Sequence, residues 1–102
     1  MEAVKVQYTV KKEYAEKNKR NIEQVMAELR SLNNVGVKYS AFMLADGKTF
    51  VHFGLYADSE AKSIVGELDS IKKFRQGLQE SQPEVSPNAE DLNLVASAYD
   101  IF

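Results

Sequence analysis

Hydrophobic periodicity changes several times along this chain, and those changes constrain its fold more tightly than any single residue. Over residues 4–10, Val4, Val6, Tyr8 and Val10 alternate with Lys5, Gln7 and Thr9. A period of two sets one row of side chains on one face of a strand. Ile22, Val25, Met26, Leu29 and Leu32 then recur at helical spacing, which predicts an amphipathic helix over about residues 13–32. Asn33, Asn34 and Gly36 end it. Asn18 and Asn21 interrupt its pattern with polar groups. Period two returns over residues 37–44 and 49–56, on either side of Asp46-Gly47. Gly accepts the positive φ of a tight turn, so this pair reads as a hairpin. Asp58 or Ser59 caps a second helix with a buried stripe of Ile64, Val65, Leu68, Ile71, Phe74 and Leu78. Pro83 and Pro87 mark residues 81–91 as a loop, and a last strand is expected over residues 92–101.

Two helices with one apolar face each must cover one side of a sheet. With right-handed crossovers, the order β-α-β-β-α-β gives an α+β, ferredoxin-like sandwich with a four-stranded antiparallel sheet. The 102 residues suffice for one such domain, spanning residues 1–102. The 13 Lys and Arg are dispersed among 15 acids, for a net charge of −2, and form no basic stripe, so no nucleic-acid partner is expected. The absence of cysteine excludes disulfides and thiolate chemistry, and a lone histidine among scattered acids matches no metal-ligand pattern. No apolar run approaches the roughly 20 residues that span a bilayer, so no membrane partner is expected. Met1-Glu2-Ala3-Val4 has no basic region leading into an apolar one, and a cytoplasmic location is expected.

The second face of the sheet is less ordinary. Strand three sets Thr49, Val51, Phe53 and Leu55 against Phe50, His52, Gly54 and Tyr56. The last stretch sets Leu92, Leu94, Ala96 and Ala98 against Asn93, Val95, Ser97, Tyr99 and Ile101. If the aliphatic rows face the helices, Phe50, Tyr56, Val95, Tyr99 and Ile101 form an apolar patch on the far side. A second copy related by a two-fold axis would cover that patch, making a homodimer. Strand two stays open between Ala41 and Ser40 as the residue opposite His52, and a slip of one residue exchanges its faces.

The element order, together with Val37-Lys38-Tyr39-Ser40-Ala41-Phe42, the Ala45-Asp46-Gly47 turn, Phe50-Val51-His52-Phe53 and Tyr56-Ala57-Asp58-Ser59-Glu60-Ala61, resembles the dimeric α/β-barrel proteins. The closest resemblance is to their antibiotic-biosynthesis monooxygenase-like group. It implies a sheet-to-sheet dimer enclosing a pocket and, in some members, oxygenation without a cofactor. Tyr56 stands where that family often carries Trp, Gly54 where Glu is frequent, and no histidine lies between Ala61 and Leu78.

His52, the only histidine, is the candidate catalytic residue, because its ordinary pKa suits a general base. Its other reading is a hydrogen-bonded residue packed at an interface. Phe50, Tyr56 and Tyr99 supply candidate ligand-binding walls, with Gln7 and Ser97 as polar groups beside Lys5, Thr9 and Asn93. Tyr8 and Tyr39 position a substrate or simply pack. Two functions follow. One is a monooxygenase-like enzyme acting on a small aromatic or apolar molecule with no metal or organic cofactor. The other is a non-catalytic dimer that binds a small ligand or a protein.

Overall fold

A computed structural model describes residues 1–102. The elements are β1 (Glu2–Thr9), α1 (Ala15–Leu32), β2 (Val37–Met43), β3 (Thr49–Tyr56), α2 (Ser59–Gly66), α3 (Asp69–Glu80) and β4 (Val85–Leu92). The strands pair antiparallel in the order β2-β3-β1-β4. This is the ferredoxin-like arrangement, with β1 and β3 central and the helices layered on one face. No helix is long and apolar enough to cross a membrane.

Local chemistry fixes the ends of these elements. Asn33 closes α1 in the left-handed region at φ 50°, where its backbone N–H donates to the Leu29 carbonyl at 3.2 Å. Gly47, at φ 76°, turns the chain between β2 and β3. The Asp46 carboxylate ties that turn, accepting from the backbone N–H groups of Lys48 at 3.0 Å and Thr49 at 2.8 Å. Asp58 is the cap of α2, and its side chain accepts the Ala61 N–H at 2.9 Å.

The second helix is two. It breaks at Leu68, whose φ of −65° and ψ of 137° are extended, and Asp69 restarts it as α3. The expected stripe survives the break, with Val65, Ile71, Phe74 and Leu78 all in the core.

The C-terminal third corrects the sequence reading twice. Residues 81–91 are not a loop throughout, because β4 lies within them, paired to β1. Pro87 is tolerated because β4 is an edge strand and the β1–β4 register shifts between Gln7 and Thr9, where the missing N–H costs no ladder bond. The strand expected over residues 92–101 does not form. After Leu92 the chain is irregular, and it ends with Phe102 under Lys38, whose Nζ lies 5.7 Å from the ring centroid.

The sheet faces are reversed from the expected assignment. Pairing sets Val6 opposite His52 and Tyr8 opposite Phe50, so these residues share the face that packs on the helices. Val51, Phe53 and Leu55 point the other way, with Gln7 opposite Val51. Aromatic rings fill core volume as well as aliphatic ones do, and His52 is tolerated inside because both ring nitrogens are bonded. Ala41, not Ser40, is opposite His52, which puts Tyr39 on the helix side as well.

Candidate functional site

A cavity of about 670 Å³ opens between the sheet and α2–α3. Val4, Val6, Tyr8, Tyr39, His52 and Tyr56 form its floor, with Val65, Ile71, Phe74 and Arg75 above. Its size and mostly apolar wall suit a small organic molecule. Gly54 shapes the floor, since a Cβ there would lie 2.8 Å from Tyr56 Cζ; the bare glycine lets that ring lie across the strand.

A chain of polar side chains runs through the core beneath the cavity. Asn18 Nδ2 donates to the Tyr8 hydroxyl at 2.9 Å. Tyr8 Oη lies 2.8 Å from His52 Nε2, and Tyr39 Oη lies 2.8 Å from His52 Nδ1. Phe74 stacks on the imidazole with centroids 5.4 Å apart and planes 14° from parallel.

Counting donors sets the direction of this chain. Tyr8 is 1% exposed and already receives the Asn18 N–H, so its own proton goes to Nε2. The imidazole proton then sits on Nδ1 and is donated to the Tyr39 oxygen. Tyr39 is half-buried on the cavity side, and its hydroxyl proton is left for an occupant. The opposite direction would leave the Tyr8 proton without an acceptor unless the Asn18 amide turned round, which would strand its N–H groups in the core. As it stands, only Asn18 Oδ1 lacks a partner among buried side-chain polar atoms.

Burial sets the protonation states. Desolvation pushes the His52 pKa down to about 4, so the ring is neutral at pH 7. Burial also raises Tyr8, Tyr39 and Tyr56 above the ordinary phenol value, and all three keep their protons. At Tyr39 and Tyr56 the positive charge of Arg75, on the same cavity wall, works against that rise.

The sequence-selected residues separate. His52 and Tyr56 line the cavity. Phe50 is 2% exposed and sits in the core stacked on Tyr8 at 5.7 Å, off the cavity wall. Gln7 projects from the opposite sheet face because it is one residue out of phase with Val6 and Tyr8. Ser97 and Tyr99 lie in the irregular tail. The Ser97 hydroxyl accepts the Tyr99 N–H at 3.3 Å, and Tyr99 is 70% exposed in a separate groove beside Ser40, Phe53 and Leu55. No three His, Asp or Glu side chains gather where they could hold a metal ion.

Arg75 was not singled out from sequence, and Phe74 was read there only as part of the buried stripe of the second helix. Asn18 did leave a signal, as a polar interruption in the apolar pattern of α1. Its partner is Tyr8, while Asn21 donates to the Tyr14 hydroxyl at 3.3 Å.

No family model matches the chain, and no curated protein matches it either. Solved structures do. An antibiotic biosynthesis monooxygenase aligns at TM-score 0.78 and 14% identity, covering 94% of this chain and 100% of its own. Rv0793 from Mycobacterium tuberculosis aligns at TM-score 0.80 and 16% identity, over 96% of this chain and 98% of its own. PA3566 from Pseudomonas aeruginosa aligns at TM-score 0.77 and 18% identity, over 93% and 94%. Likeness at such identity speaks to architecture and leaves activity open. The chain has the ferredoxin-like fold of the antibiotic biosynthesis monooxygenase-like proteins.

Proposed function

We propose that this protein is a small monooxygenase-like enzyme that takes an aromatic or apolar molecule into the cavity between its sheet and helices. The observation that carries the reading is the Tyr8–His52–Tyr39 chain, which ends in a free hydroxyl proton inside an apolar cavity. Such a donor stabilises negative charge on a substrate oxygen. An activated aromatic CH₂ next to a carbonyl is acidic enough to give its proton to solvent water or hydroxide at the cavity mouth, and the enolate that forms is electron-rich. The overall reaction CH₂ + O₂ → C=O + H₂O then balances with all electrons drawn from the substrate. His52 supports this step through Tyr39 instead of acting as a free base, because both its nitrogens are engaged.

Dioxygen uptake with a panel of aromatic ketones bearing activated CH₂ groups tests the proposal. Wild type is expected to exceed a heat-denatured control, with Tyr39→Phe at least tenfold slower and His52→Gln also impaired. Aromatic ligands that bind without any uptake would favour the alternative, a non-catalytic ligand-binding module. One observation supports that alternative directly: an imidazole with a pKa of about 4 and no free nitrogen is a poor proton acceptor at pH 7.

The reading includes a second copy on the open sheet face. Phe42 is 57% exposed there and meets Phe53 edge-on at 5.9 Å, and the tail adds exposed Leu94 and Val95. Light scattering at micromolar concentration is expected to give twice the 11.5 kDa chain mass. A stable single-chain mass would leave that face open and remove the dimer from the account.

A further inference from the structure

We propose that the cavity's occupant carries a negatively charged oxygen, held jointly by the Arg75 guanidinium and the Tyr39 hydroxyl. The inference rests on the reading of the cavity as a ligand site and adds the charge of the ligand. Arg75 lines the cavity from α3 and takes part in none of the four ion pairs of the molecule. A guanidinium on the cavity wall with no carboxylate at ion-pair distance is an incomplete arrangement, since its planar fork matches a carboxylate or another anionic oxygen. Tyr39 contributes the second donor, because His52 already occupies its oxygen as acceptor and leaves its proton unused.

The other charges around the cavity do not alter this picture. Lys62 is paired with Glu2 at 3.5 Å. Asp91 belongs to β4, which is three strands from the Tyr39 strand in the order β2-β3-β1-β4. At the usual strand spacing that is roughly 14 Å across the sheet. Arg75 also borders the groove beside Ser86 and Pro87 near the start of β4, whereas Asp91 stands near the end of that strand. An aromatic acid or phenolate fits with its charged oxygen at Tyr39 and its rings along Val4, Val6 and Phe74.

Calorimetric titration of the full chain with 2-naphthoate and with its neutral counterpart 2-naphthalenemethanol tests the inference. His52 ring resonances should be followed in parallel, to locate the ligand. The anion is expected to bind at least tenfold more tightly and to shift the His52 signals. Arg75→Gln, a change at an exposed helix position, should remove most of that preference, weakening the anion far more than the neutral compound. Arg75→Lys should restore part of it, and Tyr39→Phe should weaken the anion severalfold. Equal binding of both compounds, or an unchanged preference in Arg75→Gln, would overturn the charge assignment while the cavity still stands as a ligand site. Failure of both compounds to bind or to move His52 would overturn the ligand-site reading along with it.

Discussion

The two faces of the sheet are made from the same four strands and solve opposite problems. The face under the helices holds Tyr8, Phe50, His52 and Tyr56, none more than 6% exposed. The other carries Lys5, Gln7, Ser40, Phe42, Phe53 and Leu55, most of them half-buried or exposed. By hydropathy alone, strand three looks better suited to the reverse orientation, with Val51, Phe53 and Leu55 inside. The polar row is inside because its imidazole and the phenol beside it have partners from neighbouring elements: Tyr8 from β1 and Tyr39 from β2 bond His52, and Asn18 from α1 bonds Tyr8. Burial follows satisfied hydrogen bonds as much as it follows carbon content.

Substitution of one phenylalanine on each face gives the largest test of this contrast. Phe50→Ala empties a 2% exposed site stacked on Tyr8 and should cost about 3–5 kcal/mol in urea unfolding. At concentrations where the chain is monomeric, Phe42→Ala, at a 57% exposed site, should cost less than about 1 kcal/mol. Equal losses would erase the distinction between the faces.

A second, smaller effect is pH-dependent. The folded His52 pKa of about 4 lies below the ordinary value of 6.5, so the unfolded chain binds the imidazole proton first. Stability contributed by the neutral ring is complete above pH 6.5 and is lost as the pH falls towards 4. Between pH 7 and pH 5 this amounts to about 2 kcal/mol. The loss should flatten in His52→Gln, whatever that variant's stability at pH 7. The same slope in both proteins would assign it to other groups.

Much of the architecture was legible because it is written locally. The alternation of β1, the helical period of α1, the Asp46-Gly47 turn and the Asp58 cap each depend on a few neighbouring residues, and each formed as expected. β4 was not legible, since all of its side chains are exposed and Val85 to Leu92 carry no apolar row to mark a strand. Its existence depends on pairing with β1, which is a long-range fact. Leu92 and the alternating residues after it imitate a strand that has no partner.

The site divided in the same way. His52 and Tyr56 come together on the cavity wall because they share one face of a strand. Gln7 was misplaced by a choice of face, which period two leaves undetermined. Ser97 and Tyr99 were misplaced along with the strand that did not form. Arg75 carried no signal, as its place on the cavity wall depends on how α3 packs over the sheet.

The central claim is that His52 sits inside, neutral, between two tyrosine hydroxyls. As the only histidine in the chain, it gives an unambiguous signal, and its ¹⁵N and ¹H ring shifts can be followed from pH 8 to pH 4. The account predicts a neutral ring protonated at Nδ1 at pH 7, with a titration midpoint at about 4. A midpoint near 6.5, with the two nitrogens averaging as they do in water, would put the ring on the open face and contradict both the site and the function built on it.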